Sequence, residues 1–163
     1  MAKKKNKSSV QTDGTKTIAV NRKARHEYIF EEMFQCGLVL VGTEVKSLRA
    51  GRVNLGEAYA QVDKGEVWLK NMQISHWETG NRFNHDPFRS RKLLLHAKEI
   101  RRLIGKTKEK GLTLVPTRLY FCRGYVKVEV ALAKGKKLYD KREAEAAKSA
   151  KRTIDRAMKE YSR

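Results

Sequence analysis

The chain has no run of 18 apolar residues, so no segment of it is expected to cross a bilayer as a helix. Its basic start, MAKKKNKSSVQTDG, has no apolar stretch behind it and does not read as a secretory signal. Cysteine is scarce. Cys36 and Cys122 stand far apart without a partner motif, which fits reduced thiols in a cytoplasmic protein and not a disulfide framework. The four histidines, His26, His76, His85 and His96, form no HxxxH pair and have no cysteine at zinc spacing. An Asp-Pro turn accounts for Asp86 beside His85 more simply than half a metal site does. GKT at Gly105–Thr107 lacks the earlier glycine of a phosphate loop, since position 100 is Ile, and a helix precedes it where a strand is needed. No paired carboxylates of a two-metal nuclease are present. These absences leave no candidate catalytic residue, no metal and no cofactor.

What the chain does have is positive charge. It carries 37 Lys and Arg against 18 Asp and Glu, a net charge of +19 in 163 residues, far beyond what solubility requires. Such a field favours a polyanion as partner, either a nucleic acid or an anionic surface. The charge is uneven: residues 1–25 hold a net +7 and residues 134–163 a net +6, so most of the excess lies in two end segments. The pattern reads as a basic arm at 1–20, a moderately basic domain at 21–134 and a basic tail at 135–163. Residues 1–20 are rich in Ser, Thr and Gly and are expected to be disordered.

Within the central part, YIFEEMFQCGLVLV (28–41) is strand-like, with a bulge or bend expected at Gly37. GTEVKSLRAG (42–51) reads as a two-turn helix. Thr43 suits the cap, Gly51 suits the position after the helix, Val45 and Leu48 suit the buried side, and Lys46 and Arg49 the displayed one. Two strands flank a turn at Asp63–Gly65, and a further strand is predicted for Arg91–Leu95. An amphipathic helix over Ala97–Ile104 would turn Ile100, Leu103 and Ile104 inward, with Gly111 ending a charged continuation. LTLVPTRLYFCRGYVKVEVALAKG is a hairpin turning at Arg123–Gly124, and Pro116 implies an edge or a bulge in its first strand. About six short strands without β-α-β alternation suggest a mainly β fold, a small closed antiparallel barrel with flanking helices.

RNA is the polyanion the residues favour. Arg89, Arg91 and Lys92 cluster beside Phe88, and Tyr59, Trp68 and Trp77 lie in or beside strands, where cations can meet phosphates and rings can stack on unpaired bases. Taken singly, each ring is as well explained by core packing and each cation by a solvated surface. Their joint occurrence with a small barrel and two cationic ends supports RNA binding.

Several stretches together carry a resemblance: NRKARHEY (21–28), GTEVKSLRAG (42–51), HDPFRSRKLLLH (85–96) and YFCRGYVKVEVALAKGKKLYDKR (120–142) resemble the SsrA-binding protein family, also called small protein B. The likeness runs from Asn21 nearly to the C-terminus. It implies a barrel of the oligonucleotide-binding type and an adaptor, not an enzyme, in the cytoplasm. Such a protein would bind transfer-messenger RNA, one copy per RNA, and deliver it to ribosomes stalled on nonstop messages for trans-translation and protein tagging. Matched motif by motif, the resemblance implies RNA contacts by Lys46, Arg49, Tyr59, Asn71, Arg89, Arg91, Lys92, Leu94 and His96. It implies contact with the small-subunit decoding centre by His26, and with the ribosome by Gly135, Lys136, Lys137, Asp140, Lys141, Arg142 and Met158. Gln35 stands where many members of the family have Glu, which keeps an acceptor and loses a charge. A generic RNA-binding or ribosomal barrel protein shares the charge and fold class and stands as the alternative; a barrel nuclease comes last.

The tail combines helix formers (Ala144, Ala146, Ala147, Ala150) with a narrow apolar seam ending at Ile154 and Met158. An isolated helix so weakly supported is marginal in water. The expectation is a tail disordered when free and helical on the ribosome. There it would reach about 42 Å at ~1.5 Å per residue along an empty messenger channel.

Overall fold

The computed structural model describes residues 14–79 and 83–161. In chain order the elements are β1 (Thr15–Val20), α1 (Arg22–Glu27), β2 (Tyr28–Leu38), α2 (Gly42–Arg49), β3 (Val53–Asn54), β4 (Tyr59–Asp63) and β5 (Glu66–Lys70). There follow β6 (Gln73–Ile74), β7 (Arg91–Leu94), α3 (Ala97–Lys110), β8 (Thr113–Cys122), β9 (Tyr125–Gly135) and α4 (Leu138–Tyr161). Six strands pair antiparallel in a closed cycle, β8-β4-β5-β7-β2-β9 and back to β8. β3 and β6 form a separate two-stranded ladder. The described residues thus hold nine strands where about six are read from the sequence, because β1, β3 and β6 lie outside the ring.

Alternation along the strands decides what fills the ring. Val67 and Leu69, Leu93, Phe34 and Cys36, and Val128, Val130 and Leu132 point inward and are buried. Leu103 from α3 and Leu48 from α2 complete that core, with Ile100 packed at its margin and Ile104 half-buried. α3 runs through Gly105 and stops at Gly111, whose φ of 57° is the left-handed conformation that ends helices at low cost in glycine. Lys106 and Arg102 reach from α3 to Glu32 on β2 at 2.8 and 3.0 Å. Both cysteines are free thiols, and burial pushes Cys36 up to about 12.

Bulges interrupt both β8 and β2. Between Pro116 and Arg118 the β8–β9 register shifts, the bulge that a proline inside a strand requires. There the other edge of β8 passes from β4, through Ala60 opposite Leu114, to β1, through Val20 opposite Arg118. The second bulge lies in β2 between Phe30 and Glu32 and not at Gly37. Gly37 is regularly paired, and its hydrogen side chain has another use: a Cβ there would stand 3.2 Å from the Leu94 Cβ.

The ends of the chain also differ from expectation. Residues 1–13 of the expected arm lie outside the described residues, but Thr15–Val20 is a strand, because β8 offers it an unpaired edge. The tail, expected to be disordered when free and helical on the ribosome, is a continuous helix over Leu138–Tyr161 in this structure. Its Ala, Glu, Lys and Arg content favours helix, and Asp140 accepts from the Lys137 backbone N–H at 3.1 Å. No α4 residue is buried, so tertiary packing contributes little to it.

One side chain fixes the start of α1. Asn21 caps it by accepting from the Ala24 N–H, and donates to the Leu55 and Pro116 carbonyls at 3.0 and 3.1 Å. Replacing Asn21 by Ala removes the cap and strands two carbonyls, so Asn21→Ala should cost about 2–3 kcal/mol, read as a lower urea midpoint. A midpoint within error of the parent would show that α1 is held by other contacts.

Candidate nucleic-acid interface

Paired residues on neighbouring antiparallel strands point to the same side of a sheet. Opposite the buried rows of the ring there is therefore an outer row that can be read from the register. Tyr59 and Gln61 on β4 face Lys70 and Trp68 on β5, and Trp68 faces Lys92 on β7. Leu94 faces Gly37 on β2, and Gly37 faces Lys127 on β9, with Gln35 opposite Glu129 one step along. The result is a continuous belt of aromatic, apolar and cationic side chains across five strands. Leu94 is 53% exposed although it lies mid-sheet. Gly37 makes its position possible, since the Leu94 side chain lies over the space a Cβ would take. Lys92 is ion-paired with Glu66, whereas Lys127 has no ion-pair partner among the described residues.

A second cationic region sits on α2. Lys46 lines a groove of about 570 Å³ together with Val41, Thr43, Phe83 and Arg89. Phe83 is 84% exposed above it. Arg49 is exposed one turn along the helix. Asn71, held at φ 56°, shares a cleft of about 410 Å³ with Tyr59, Glu27 and Tyr28. His96 caps the start of α3 at the surface.

Arg91, expected from the resemblance to contact RNA, lies inside the protein and not at its surface. It is fully buried, and its guanidinium donates to Glu44 at 2.8 Å and to the carbonyls of Met72, Arg89 and Pro87. Arg89 is also engaged, donating to both oxygens of Glu44 at 2.8 and 2.6 Å and to the Val39 carbonyl. Glu44 is itself sealed from solvent and accepts from the Val41 N–H at 2.9 Å. The buried face of α2 is thus Glu44, Ser47 and Leu48, with Val45 only half-buried. Thr43 does not cap the helix; its hydroxyl meets Nδ1 of the buried His85 at 3.0 Å, while His85 Nε2 meets the Ile74 carbonyl. Gly51 ends α2 as expected, with φ 72° and the paired bonds Gly51 N–H to Leu48 O and Arg52 N–H to Ser47 O.

Burial alone would raise the Glu44 pKa. The bonds from Arg89, the Val41 N–H and Arg91 outweigh it and hold the carboxyl below its ordinary 4.5. Burial also works against the Arg91 charge, which Glu44 offsets in part, and a guanidinium has ample margin to stay protonated.

The predicted ribosome-facing residues gather at the junction of α1, β9 and α4. Gly135 pairs with Tyr28, and Lys136 donates from its backbone to Glu27 O at 2.8 Å and from Nζ to Arg25 O at 3.1 Å. Asp140 starts α4, Lys137 donates to it, and Lys141 and Arg142 follow in the first turns. Met158 is exposed near the far end of α4, well along the helix from that junction. His26 contacts Glu145 of α4 at 2.8 Å. Among the described residues no three His, Cys, Asp or Glu side chains come together as a metal would need.

With this geometry in view, comparison with known proteins is decisive. A profile of the SmpB protein family matches residues 18–160. The chain belongs to the SmpB family. An SsrA-binding protein of Geobacillus thermodenitrificans is 61% identical over 145 residues, covering 89% of this chain and 94% of the relative. One from Desulforudis audaxviator is 61% identical over 142 residues, covering 87% and 93%. A solved chain described as "tmRNA-SmpB: a journey to the center of the bacterial ribosome" superposes with a TM-score of 0.62 at 52% identity, over 74% of this chain and 85% of that one.

Lys127, Glu44 and Glu145 lie beside the predicted residues without having been expected there. The first had a signal, the strict alternation of β9 that turns it outward. Glu44 had another, as the single acid in GTEVKSLRAG. Glu145 had none, because its contact with His26 spans 119 positions.

Breaking the buried cluster tests its role. Glu44→Gln leaves Arg91 buried without its counter-charge and should cost about 3–5 kcal/mol at neutral pH. Because the folded pKa is depressed, Glu44 contributes stability above its unfolded value and loses it as pH falls through the folded one. The parent should therefore weaken below about pH 4.5 more steeply than the variant. Parallel stability curves for the two proteins would contradict this.

Proposed function

We propose that this protein is the adaptor that binds transfer-messenger RNA and brings it to stalled ribosomes for trans-translation. Family membership at 61% identity over nearly the whole chain is the observation that carries this reading. The six-strand ring is taken as a closed barrel of the oligonucleotide-binding type, whose outer belt grips the RNA. Lys46, Arg49, Lys92 and Lys127 would neutralise phosphates and release counterions, while Tyr59 and Leu94 supply flat and apolar contact to exposed bases. Arg91 and Glu44 act beneath that surface, holding α2 and β7 in one relative position. The protein does no covalent chemistry and works in the cytoplasm, one copy per RNA.

The tail has a separate task. A helix of 24 residues is about 36 Å long at ~1.5 Å per residue. It has a dense cationic surface and no buried side chain, so little folding energy is lost when it leaves the body. It would lie along the messenger channel only where no message fills it, with His26, Lys136 and Lys137 at the decoding centre. Charge and shape thus make a vacant channel the condition for engagement.

The two parts should separate. Ending the chain after Lys137 should leave transfer-messenger RNA affinity within about twofold and abolish peptide tagging on stalled ribosomes. Lys127→Gln should lower that affinity several-fold and reduce the salt slope by about 1, the signature of one lost phosphate contact. Truncation that destroys RNA affinity, or a salt slope unmoved by Lys127→Gln, would place the RNA elsewhere.

A further inference from the structure

Phe83 is 84% exposed in the segment between β6 and β7, although a phenylalanine ring gains most by leaving water. It lines the groove of about 570 Å³ on α2, together with Val41, Thr43, Lys46, His85 and Arg89. Most polar side chains of this groove are already engaged inside the protein. The Thr43 hydroxyl meets His85 Nδ1, and His85 Nε2 meets the Ile74 carbonyl, so neither ring nitrogen is free. Arg89 donates to both oxygens of Glu44 and to the Val39 carbonyl. Lys46 differs: it is exposed and makes no hydrogen bond or ion pair among the described residues. Among those residues no acidic side chain lines the groove. Arg89 and Arg91 share the single carboxylate of Glu44, so the wall keeps an excess of positive charge.

These features define the chemistry of an occupant. It offers a flat apolar face to Phe83 and negative charge to Lys46, and it needs no hydrogen bond from the engaged side chains. An acidic peptide supplies the charge without the flat face. An unpaired nucleotide supplies both. We propose that Phe83 is a stacking platform for one unpaired base of transfer-messenger RNA, with the adjoining phosphate on Lys46. The inference rests on the RNA-binding reading above and adds to it a contact that tolerates any base. Every base has a π-face, and no free side chain in the groove tells one base edge from another. The ring stands on a supported stretch of chain. Asn84 accepts from the Trp77 N–H at 3.3 Å and donates to the Trp77 carbonyl at 2.8 Å, and His85 ties the next position to α2 through Thr43. The spacing between ring and cation is therefore set before RNA arrives.

The test compares Phe83→Ala, Phe83→Leu and Phe83→Tyr in the full chain for binding to transfer-messenger RNA. The ring is exposed, so all three variants should keep the fold. Phe83→Tyr should bind within about twofold of the parent. Phe83→Ala should lose about five- to tenfold, and Phe83→Leu most of that. The salt slope should stay unchanged in all three, whereas Lys46→Gln should lower it by about 1. A photoreactive residue in place of Phe83 should cross-link to one nucleotide of the RNA. Exchanging the base of that nucleotide should change affinity by less than about twofold, and removing the base should cost as much as Phe83→Ala. Phe83→Leu equal to the parent would reveal a plain apolar contact, and Phe83→Ala equal to the parent no contact at all; either overturns the proposal. An affinity that follows the identity of the base overturns it as well. A parent protein that does not bind transfer-messenger RNA counts instead against the adaptor reading.

Discussion

The relative position of α2 and β7 hangs on a carboxylate that no solvent reaches. Glu44 enters from α2 and meets Arg91 and Arg89 from the segment leading into β7. Removing either partner from such a pair leaves a buried charge without compensation, which is far more costly than any surface ion pair. Arg91 adds three backbone carbonyls to its bonds, so the same guanidinium also closes the ends of the loop before β7. The motif on α2 and the motif leading into β7 are therefore held in one fixed relation. Lys46 and Arg49 ride on the helix that Glu44 anchors; Lys92 and Leu94 ride on the strand that Arg91 anchors.

From that fixed surface the rest of the design follows by contrast. The ring is sealed by interior aliphatic side chains and by continuous pairing, so its outer belt can carry exposed rings and an exposed leucine without loss of order. The tail is built the opposite way. It keeps helix propensity and gives up packing, so no α4 side chain is buried. One molecule thus joins a packed ring to a cationic helix with no buried side chain. The pair His26–Glu145 is where the two meet.

Local signals were enough for much of this. The Arg123–Gly124 turn, with φ of 49° and 83°, the Pro116 bulge, Gly51 and Gly111 as helix stops and the alternation of β9 all depend on residues close in sequence. What escaped depends on distant partners. Arg91 looks like a surface cation in FRSRKLLL because nothing nearby in sequence announces Glu44 47 positions away. Gly37 looks like a bulge because the reason for its missing side chain, Leu94, comes from another strand. The order in Thr15–Val20 comes from the free edge of β8, which composition does not encode. Burial of charge, close approach and edge pairing are tertiary facts, and single-sequence reading misses them for that reason.

The division between gripping face and detachable rod is tested most directly by site-specific photo-cross-linking. A photoreactive residue is placed in turn at Leu94, in the belt, and at Ile154, on α4. With transfer-messenger RNA alone, Leu94 should cross-link to it and Ile154 should not. With stalled ribosomes added, Ile154 should cross-link to ribosomal RNA. Cross-links from Ile154 to transfer-messenger RNA, with none from Leu94, would contradict the division.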